Sequence, residues 1–350
     1  IQNSITYAIV IACWILVQIL GATGHMTSLL KGLLVPLCIY VILAVSLNLT
    51  VGILGELSLG HAGFMCVGAF TGAFFTKCME NAIPSVGMRF FLALIIGAAV
   101  AGVFGIIIGI PVLRLKGDYL AIVTLAFGEI IKNLINVMYV GLDSNGFHFS
   151  IKDTTSLGMG ADGVVIIKGA QGITGTPKAA TFTVGIILVL ITLFIVLNLI
   201  NSRTGRAIMS IRDNRIAAES VGINITKYKL MAFAISAALA GVAGVLYAHN
   251  LSSLAATPKN FGYNMSIMIL VYVVLGGLGN IRGSIIATVV LYILPEMLRG
   301  LDDFRMLIYA IVLIAVMLIT NSDRVRQLRD KFLAKRQSQR EKAEKGGRTA

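Results

Sequence analysis

The ionisable and polar residues that interrupt this apolar sequence gather in two places. Glu129 stands near the middle of an apolar run from Tyr119 to Val140, with Lys132 and Asn133 three and four residues further on, positions that share one surface of a helix. A charge at membrane depth faces a partner or a cavity. Glu129 therefore reads either as half of an ion pair with Lys132 or, with Asn133, as the lining of a route for a polar solute. The second place is Gly55 to Gly63, GELSLGHAG, where Asn48, Ser58 and His61 break the apolar pattern. Gly60 and Gly63 allow a helix to be interrupted there, leaving backbone groups to meet a zwitterion as half-helices do in transporters. The other reading is polar groups satisfied by helix packing.

No other chemistry is legible. Cys13, Cys38, Cys66 and Cys78 lie in or beside apolar stretches without CxxC spacing, and His25, His61, His148 and His249 are widely scattered; neither set is a metal site or a disulfide frame. No nucleophile and base pair stands out, so an enzyme is disfavoured and no catalytic residue or cofactor is expected. GxxxxGK[ST] is missing, and with it the phosphate cradle of a nucleotide hydrolase. Gly169, Gly172 and Gly175 are spaced too openly for a dinucleotide turn and read as a flexible linker.

The elements that must position these residues are membrane helices. The chain has 350 residues, 57% of them hydrophobic and 13% charged, with a mean hydropathy of +0.88. That composition belongs to a chain dissolved in lipid. Apolar runs occupy residues 5–22, 30–51, 59–77, 89–113, 119–140, 181–200, 229–250, 264–280, 284–300 and 304–320, about ten spans or somewhat fewer at roughly 20 residues each. Their lengths suit helices rather than alternating strands, so the expected fold is an all-α polytopic bundle over residues 1–320 with a basic tail over 321–350. The first run is followed by Gly21, Ala22 and Gly24, as a cleavable signal would be, but lacks a basic leading region and reads as a membrane helix.

Basic residues orient the bundle. Arg203, Arg206, Arg212, Arg215, Lys227 and Lys229 crowd one loop, and the tail from Arg324 to Arg348 carries 10 more. Four helices separate the two, which places both in the cytoplasm, with Arg114, Lys116 and Ile1. Residues 141–180, long and Gly-rich, are then extracytoplasmic. Lys77, Arg89, Lys152 and Lys168 among others fall outside, so helix parity sets the orientation rather than the charge count. The +13 net charge follows this membrane geometry and does not point to nucleic acid. In the tail, Val325, Leu328, Phe332 and Leu333 share one face of a possible helix among Arg and Lys, a lipid-surface anchor or a dock for a partner; beyond Arg336 the chain reads as disordered. Small residues at four-residue spacing, Gly97, Ala101, Gly105 and Gly109, Gly68 with Gly72, and Ala240, Gly244 and Ala248, predict tight helix seams. Such seams either lock helices together or let them slide.

The cationic loop has its own local code. Gly205 to Ile211 suits a short turn. Asn214 or Asp213 suits the N-cap of a helix from Ile216 to Val221, with Gly222 as its left-handed terminator. Ile216 and Ser220 share one face and Ala217 and Val221 another, and the small Ala217 and Ala218 leave room for a partner's groove. The plain alternative is a positive-inside loop on anionic headgroups.

The run SRTGRAIMSIRDNRIAAESVGI, leading into KLMAFAISAALAGVAGVLYAH, resembles the cytoplasmic coupling loop and following helix of LivM-type permeases of branched-chain amino acid ABC importers. Asn48 to Phe70 (NLTVGILGELSLGHAGFMCVGAF), Leu113 to Ile130 (LRLKGDYLAIVTLAFGEI) and Val274 to Ala287 (VLGGLGNIRGSIIA) resemble that family in the same order. The resemblance implies a multi-pass permease of the bacterial inner membrane, paired with a second related permease, two ATPase subunits and an extracytoplasmic substrate-binding protein. It implies ATPase coupling through Gly205, Arg206, Arg212, Ala217, Ala218, Glu219 and Gly222. Residues left for the solute path are Asn48, Ser58, Gly60, His61, Gly63, Glu129 and Asn133. The rival expectations are a urea or other small-solute permease of the same superfamily, and a self-sufficient channel or carrier coupled through Glu129 and His61.

Overall fold

The structure, a computed structural model, describes residues 2–23, 27–115, 117–143, 146–160, 163–298 and 304–321. The tail residues named above, with Lys116, lie outside them. Each apolar run holds a helix among the described residues: α1 (Gln2–Ala22), α2 (Ser28–Asn48), α3 (His61–Cys78), α4 (Val86–Val112), α5 (Asp118–Val137) and α6 (Phe182–Asn201), then α9 (Ile225–Ala248), α11 (Tyr263–Gly276), α12 (Ile281–Met297) and α13 (Arg305–Asn321). The loop between α6 and α9 holds α7 (Arg203–Asp213) and α8 (Arg215–Ser220), and α10 (Pro258–Phe261) is a single turn. Among the described residues, 6 helices are long and apolar enough to cross a membrane: α1, α2 with its continuation to Leu54, α4, α5, α6 and α9. The chain is a polytopic helical membrane protein. Contacts divide it into two compact units, residues 1–289 and 290–350; the contacts described below lie within the first.

Within that unit α2 is the hub. Its apolar window is 94% buried, whereas that of α1 is only 11% buried, so α2 meets protein on all sides and α1 presents aliphatic side chains outward. Beside it, α3, α4 and α9 pack through the predicted glycine ridges. A methyl group placed on Gly68 would overlap the backbone of Gly241. One on Gly105 would come within 2.7 Å of Ala237 Cβ, and one on Gly72 within 2.8 Å of Val245 Cγ2. Without side chains at these points the helix axes close up, and dispersion contacts along the seam replace the hydrophobic driving force that lipid does not supply.

The expected all-α fold and flexible outer linker need correction. Residues 139–174 contain a three-stranded antiparallel sheet in the order β2-β1-β3, from β1 (Tyr139–Asp143), β2 (Gly146–Ser150) and β3 (Val164–Lys168), and β4 (Ile173–Thr174) pairs with β5 (Ser253–Leu254). Gly169, Gly172 and Gly175 form ordered turns in it: Gly172 N–H donates to Gly169 O and Gly175 N–H to Ser252 O, both at 2.9 Å. The sheet sits at one end of α6 and the pair α7–α8 at the other, about 30 Å apart at 1.5 Å per residue.

Candidate functional site

α2 does not end where its α-helical bonding ends. It continues as a π-helix over Leu49–Leu54 and stops at Gly55, whose φ of +80° is a left-handed conformation that a side chain would strain. Residues 55–60 are then non-helical before α3 begins at His61. The predicted interruption of GELSLGHAG is therefore present, and partners from five other parts of the chain converge on it and its flanks.

The first is the start of α12 and the turn before it. Asn48 Nδ2 donates to Ser284 Oγ (2.8 Å), and Asn48 Oδ1 accepts from Gly279 N–H (2.9 Å). The second is α7, where Arg212 Nη1 donates to the π-helical carbonyl of Gly52 (3.0 Å) while its Nε and Nη2 hold Asp213 Oδ1 at 3.1 and 3.0 Å. The Arg212 stem lies directly over Gly55 and leaves no room for a side chain there. The third is α9: Lys229, only 6% exposed, forms an ion pair with Glu56 of the break. Leu59 N–H donates to Thr124 Oγ1 of α5 (3.0 Å) and Ala62 N–H to Ser266 Oγ of α11 (3.1 Å).

The predicted path residues therefore separate. His61 is buried and shares a 2.8 Å hydrogen bond with Ser46 Oγ. Gly60 and Gly63 press against Thr124 and Gly128 of α5, and nearby amides at 59 and 62 are spent on protein acceptors. Ser58 is buried with a hydroxyl that has no partner among the described residues. Glu129 ion-pairs with buried Lys132, and its Oε1 accepts from Tyr263 N–H at 2.8 Å, the first amide of α11. A carboxylate at a helix N-terminus is stabilised by the unpaired amides and the dipole. Asn133 is exposed on the outward face of α5 and does not join the cluster.

At the cationic loop the caps fall as predicted and the rest is more structured. Residues 203–213 are an 11-residue helix, not a turn, capped by Ser202 Oγ on Gly205 N–H (3.1 Å). Gly205 is pinned against the carbonyls at the end of α6, where a side chain has no room, and Arg206 Nη1 donates to Asn201 O (3.2 Å). Asn214 Oδ1 accepts from Ala217 N–H (3.0 Å). Gly222 (φ +83°) closes α8, its N–H on Glu219 O and that of Ile223 on Ala218 O, the paired bonds of a Schellman end.

Ala218 corrects the expected docking surface: it is 3% exposed and seals α8 onto Ile211 and Ile225. Ala217 and Glu219 are exposed, and the prominent apolar groups are Ile216 and Val221, 80% and 75% exposed.

The buried pairings of Glu56, Lys229 and Arg89 escaped the sequence reading. Arg89 is 5% exposed and donates to Thr76 O (3.3 Å) at the end of α3, beside the Thr76–His249 hydrogen bond of 3.0 Å. Glu56 carried a signal, an acid inside an apolar stretch. Lys229 carried none, since its partner is 173 residues away.

The sequence profile described as "Branched-chain amino acid transport system / permease component" matches residues 29–320. The chain is 35% identical over 289 residues to the "High-affinity branched-chain amino acid transport system permease protein LivM" of Salmonella typhimurium, and 34% identical over 289 residues to the Escherichia coli protein of the same description. Each match covers 80% of this chain and 66% of the relative. A "Probable branched-chain amino acid transport permease protein LivM" of Methanocaldococcus jannaschii is 25% identical over 297 residues, 76% of this chain and 80% of that one. No solved structure matches.

Proposed function

This chain belongs to the family of branched-chain amino acid transport permease components, and from that premise we propose that it is the membrane subunit of a bacterial inner-membrane ABC importer for branched-chain amino acids. ATP is hydrolysed by two partner subunits, a second related permease completes the membrane part, and an extracytoplasmic binding protein delivers the solute. The chain makes about ten crossings with both ends in the cytoplasm, and residues 141–180 lie outside. In this arrangement α7 and α8 form the coupling element, with Ile216 and Val221 as the apolar contacts offered to an ATPase groove.

The observation that carries the reading is Arg212. It ties α7 to Gly52 O inside the interrupted α2, so a push on α7–α8 acts on the one place in α2 where regular helical bonding has already been given up. Motion delivered there bends the break at Gly55 rather than the rigid seam of α3, α4 and α9. The solute path follows this segment. Its zwitterion meets polar groups near Ser58, whose buried hydroxyl has no partner among the described residues, while its apolar side chain moves between Leu, Ile and Val.

The test is uptake by the reconstituted complex with the binding protein present, using labelled leucine and urea side by side. Leucine uptake is expected; urea uptake without leucine would overturn the substrate assignment. Ile216→Asp places a charge at the proposed ATPase contact and is expected to leave the chain in the membrane but abolish ATP-driven uptake. Unchanged uptake would remove α8 from the coupling role. Single cysteines at Lys152 and Gln337 in a cysteine-free background should label from opposite sides of the membrane, and labelling from one side would reverse the orientation.

A further inference from the structure

One face of the outer sheet is apolar and exposed where it overhangs the helices. β1 and β2 pair so that Val140 lies opposite Phe149 and Leu142 opposite Phe147, and Val140 lies opposite Ile167 of β3. Directly opposed residues project to the same face, so Ile167, Val140 and Phe149 form one row. Two of that row, Val140 and Ile167, cover the end of an apolar groove of about 350 Å³ between the membrane helices, whose floor includes Phe70 and Phe74 of α3 and whose walls include Phe104 and Leu134. The row therefore points from the sheet towards the membrane, and its third member stands on the edge strand, beyond the groove.

On β2 the alternation is complete: Phe147, Phe149 and, just beyond the strand, Ile151 are 66%, 59% and 59% exposed, with His148 and Ser150 half-buried between them. Phe147 rests against Phe74, with ring centroids 5.9 Å apart, which ties the strand to the last turns of α3. The Lys77–Glu80 ion pair lies at the same end of α3, starting three residues beyond Phe74. Exposed Lys152 follows Ile151. Exposed Phe and Ile side chains with a lysine beside them suit the boundary between headgroups and acyl chains.

We propose that β2 is seated on the outer surface of the lipid bilayer, with Phe147, Phe149 and Ile151 immersed at the boundary between headgroups and acyl chains. Lipid is the occupant because the face is continuous with the helix surface: the groove it overhangs opens beside α4, whose Phe91, Ile95, Val103 and Ile107 are more than half exposed. The sheet thereby rides on the membrane as a fixed rim around the outer ends of α3 and α5. The inference rests on the membrane character of the chain and is independent of its substrate.

The single tryptophan of the sequence, Trp14, makes the test direct. In a Trp14→Phe background, Phe149→Trp, Ile151→Trp and Thr155→Trp are each placed in the full chain and reconstituted into phosphatidylcholine bilayers brominated either near the headgroup or near the chain end. Phe149→Trp and Ile151→Trp are expected to emit at shorter wavelength and to lose more emission to shallow bromine than to deep bromine. Thr155→Trp, in the exposed turn after the strand, is expected to lose none. Quenching of neither β2 probe would overturn the proposal, as would stronger quenching by deep bromine. So would emission that shifts only when a soluble binding protein or a second permease is added, which would make the face a protein dock. Ile151→Trp stands in if Phe149→Trp fails to fold.

Discussion

Glycine does opposite work in the α3–α4–α9 seam and in the interrupted segment from Asn48 to Gly60. In the seam, Gly68, Gly105 and Gly241 keep ordinary helical bonding and use the missing side chain only to bring axes together. In the break, Gly52 and Gly55 sit where helical bonding changes or fails, and what surrounds them is polar: Asn48, Arg212, and Glu56 with Lys229. Glycine density is the same kind of signal in both. The distinction lies in the partners, since backbone groups freed from a helix inside a membrane must be met by something.

That contrast is sharpened most by Lys229→Met, which leaves Glu56 as an uncompensated charge in the break; the loss expected is about 3–5 kcal/mol. The double variant with Glu56→Gln removes both charges and should recover most of it, read from unfolding in detergent. No recovery would mean that Lys229 serves something other than Glu56. Next comes Gly68→Leu, which forces a side chain into the backbone of Gly241 and should cost about 3 kcal/mol by overpacking, seen as loss of folded protein on size exclusion. A tolerated leucine would show that the seam opens and would erase its difference from the break.

Arg212→Ala removes a charged donor worth about 2 kcal/mol. The chain should still assemble, while leucine uptake by the complex falls about tenfold or more and ATP hydrolysis persists. Equal losses of both would mean that α7 is merely seated by this bond. The smallest effect belongs to Gly102→Ala, a seam-helix position where a methyl group would meet Ala238 Cβ at 3.4 Å, an ordinary contact. Stability should rise by about 0.5–1 kcal/mol, and a fall would show the seam to be tighter than its geometry.

Much of the frame is legible in the sequence because it is local or periodic. Apolar length shows the helices, four-residue spacing shows the seam, and Asn214 and Gly222 show the ends of α8. The interruption near Gly55 is legible as composition, but its π-helical form is not, since Asn48 and Arg212 find their partners 231 and 160 residues away. The sheet was missed because its strands are 5 residues or shorter and its glycines resemble those of a linker. Ala218 was misplaced because a small residue on a two-turn helix carries no periodicity to say which side is covered.

The bond from Arg212 to Gly52 has one end in a side chain and the other in the main chain, so only one end can be altered by mutation. The Lys229–Glu56 pair can exchange its charges between helices and survive, which leaves a lineage two routes back from a lesion. A lesion at residue 212 has no complementary change at residue 52, because every amino acid carries the same carbonyl there and none larger than glycine fits. Suppressors of Arg212 loss must therefore arise elsewhere, and a selection for them would map the far side of the coupling contact proposed for α7 and α8.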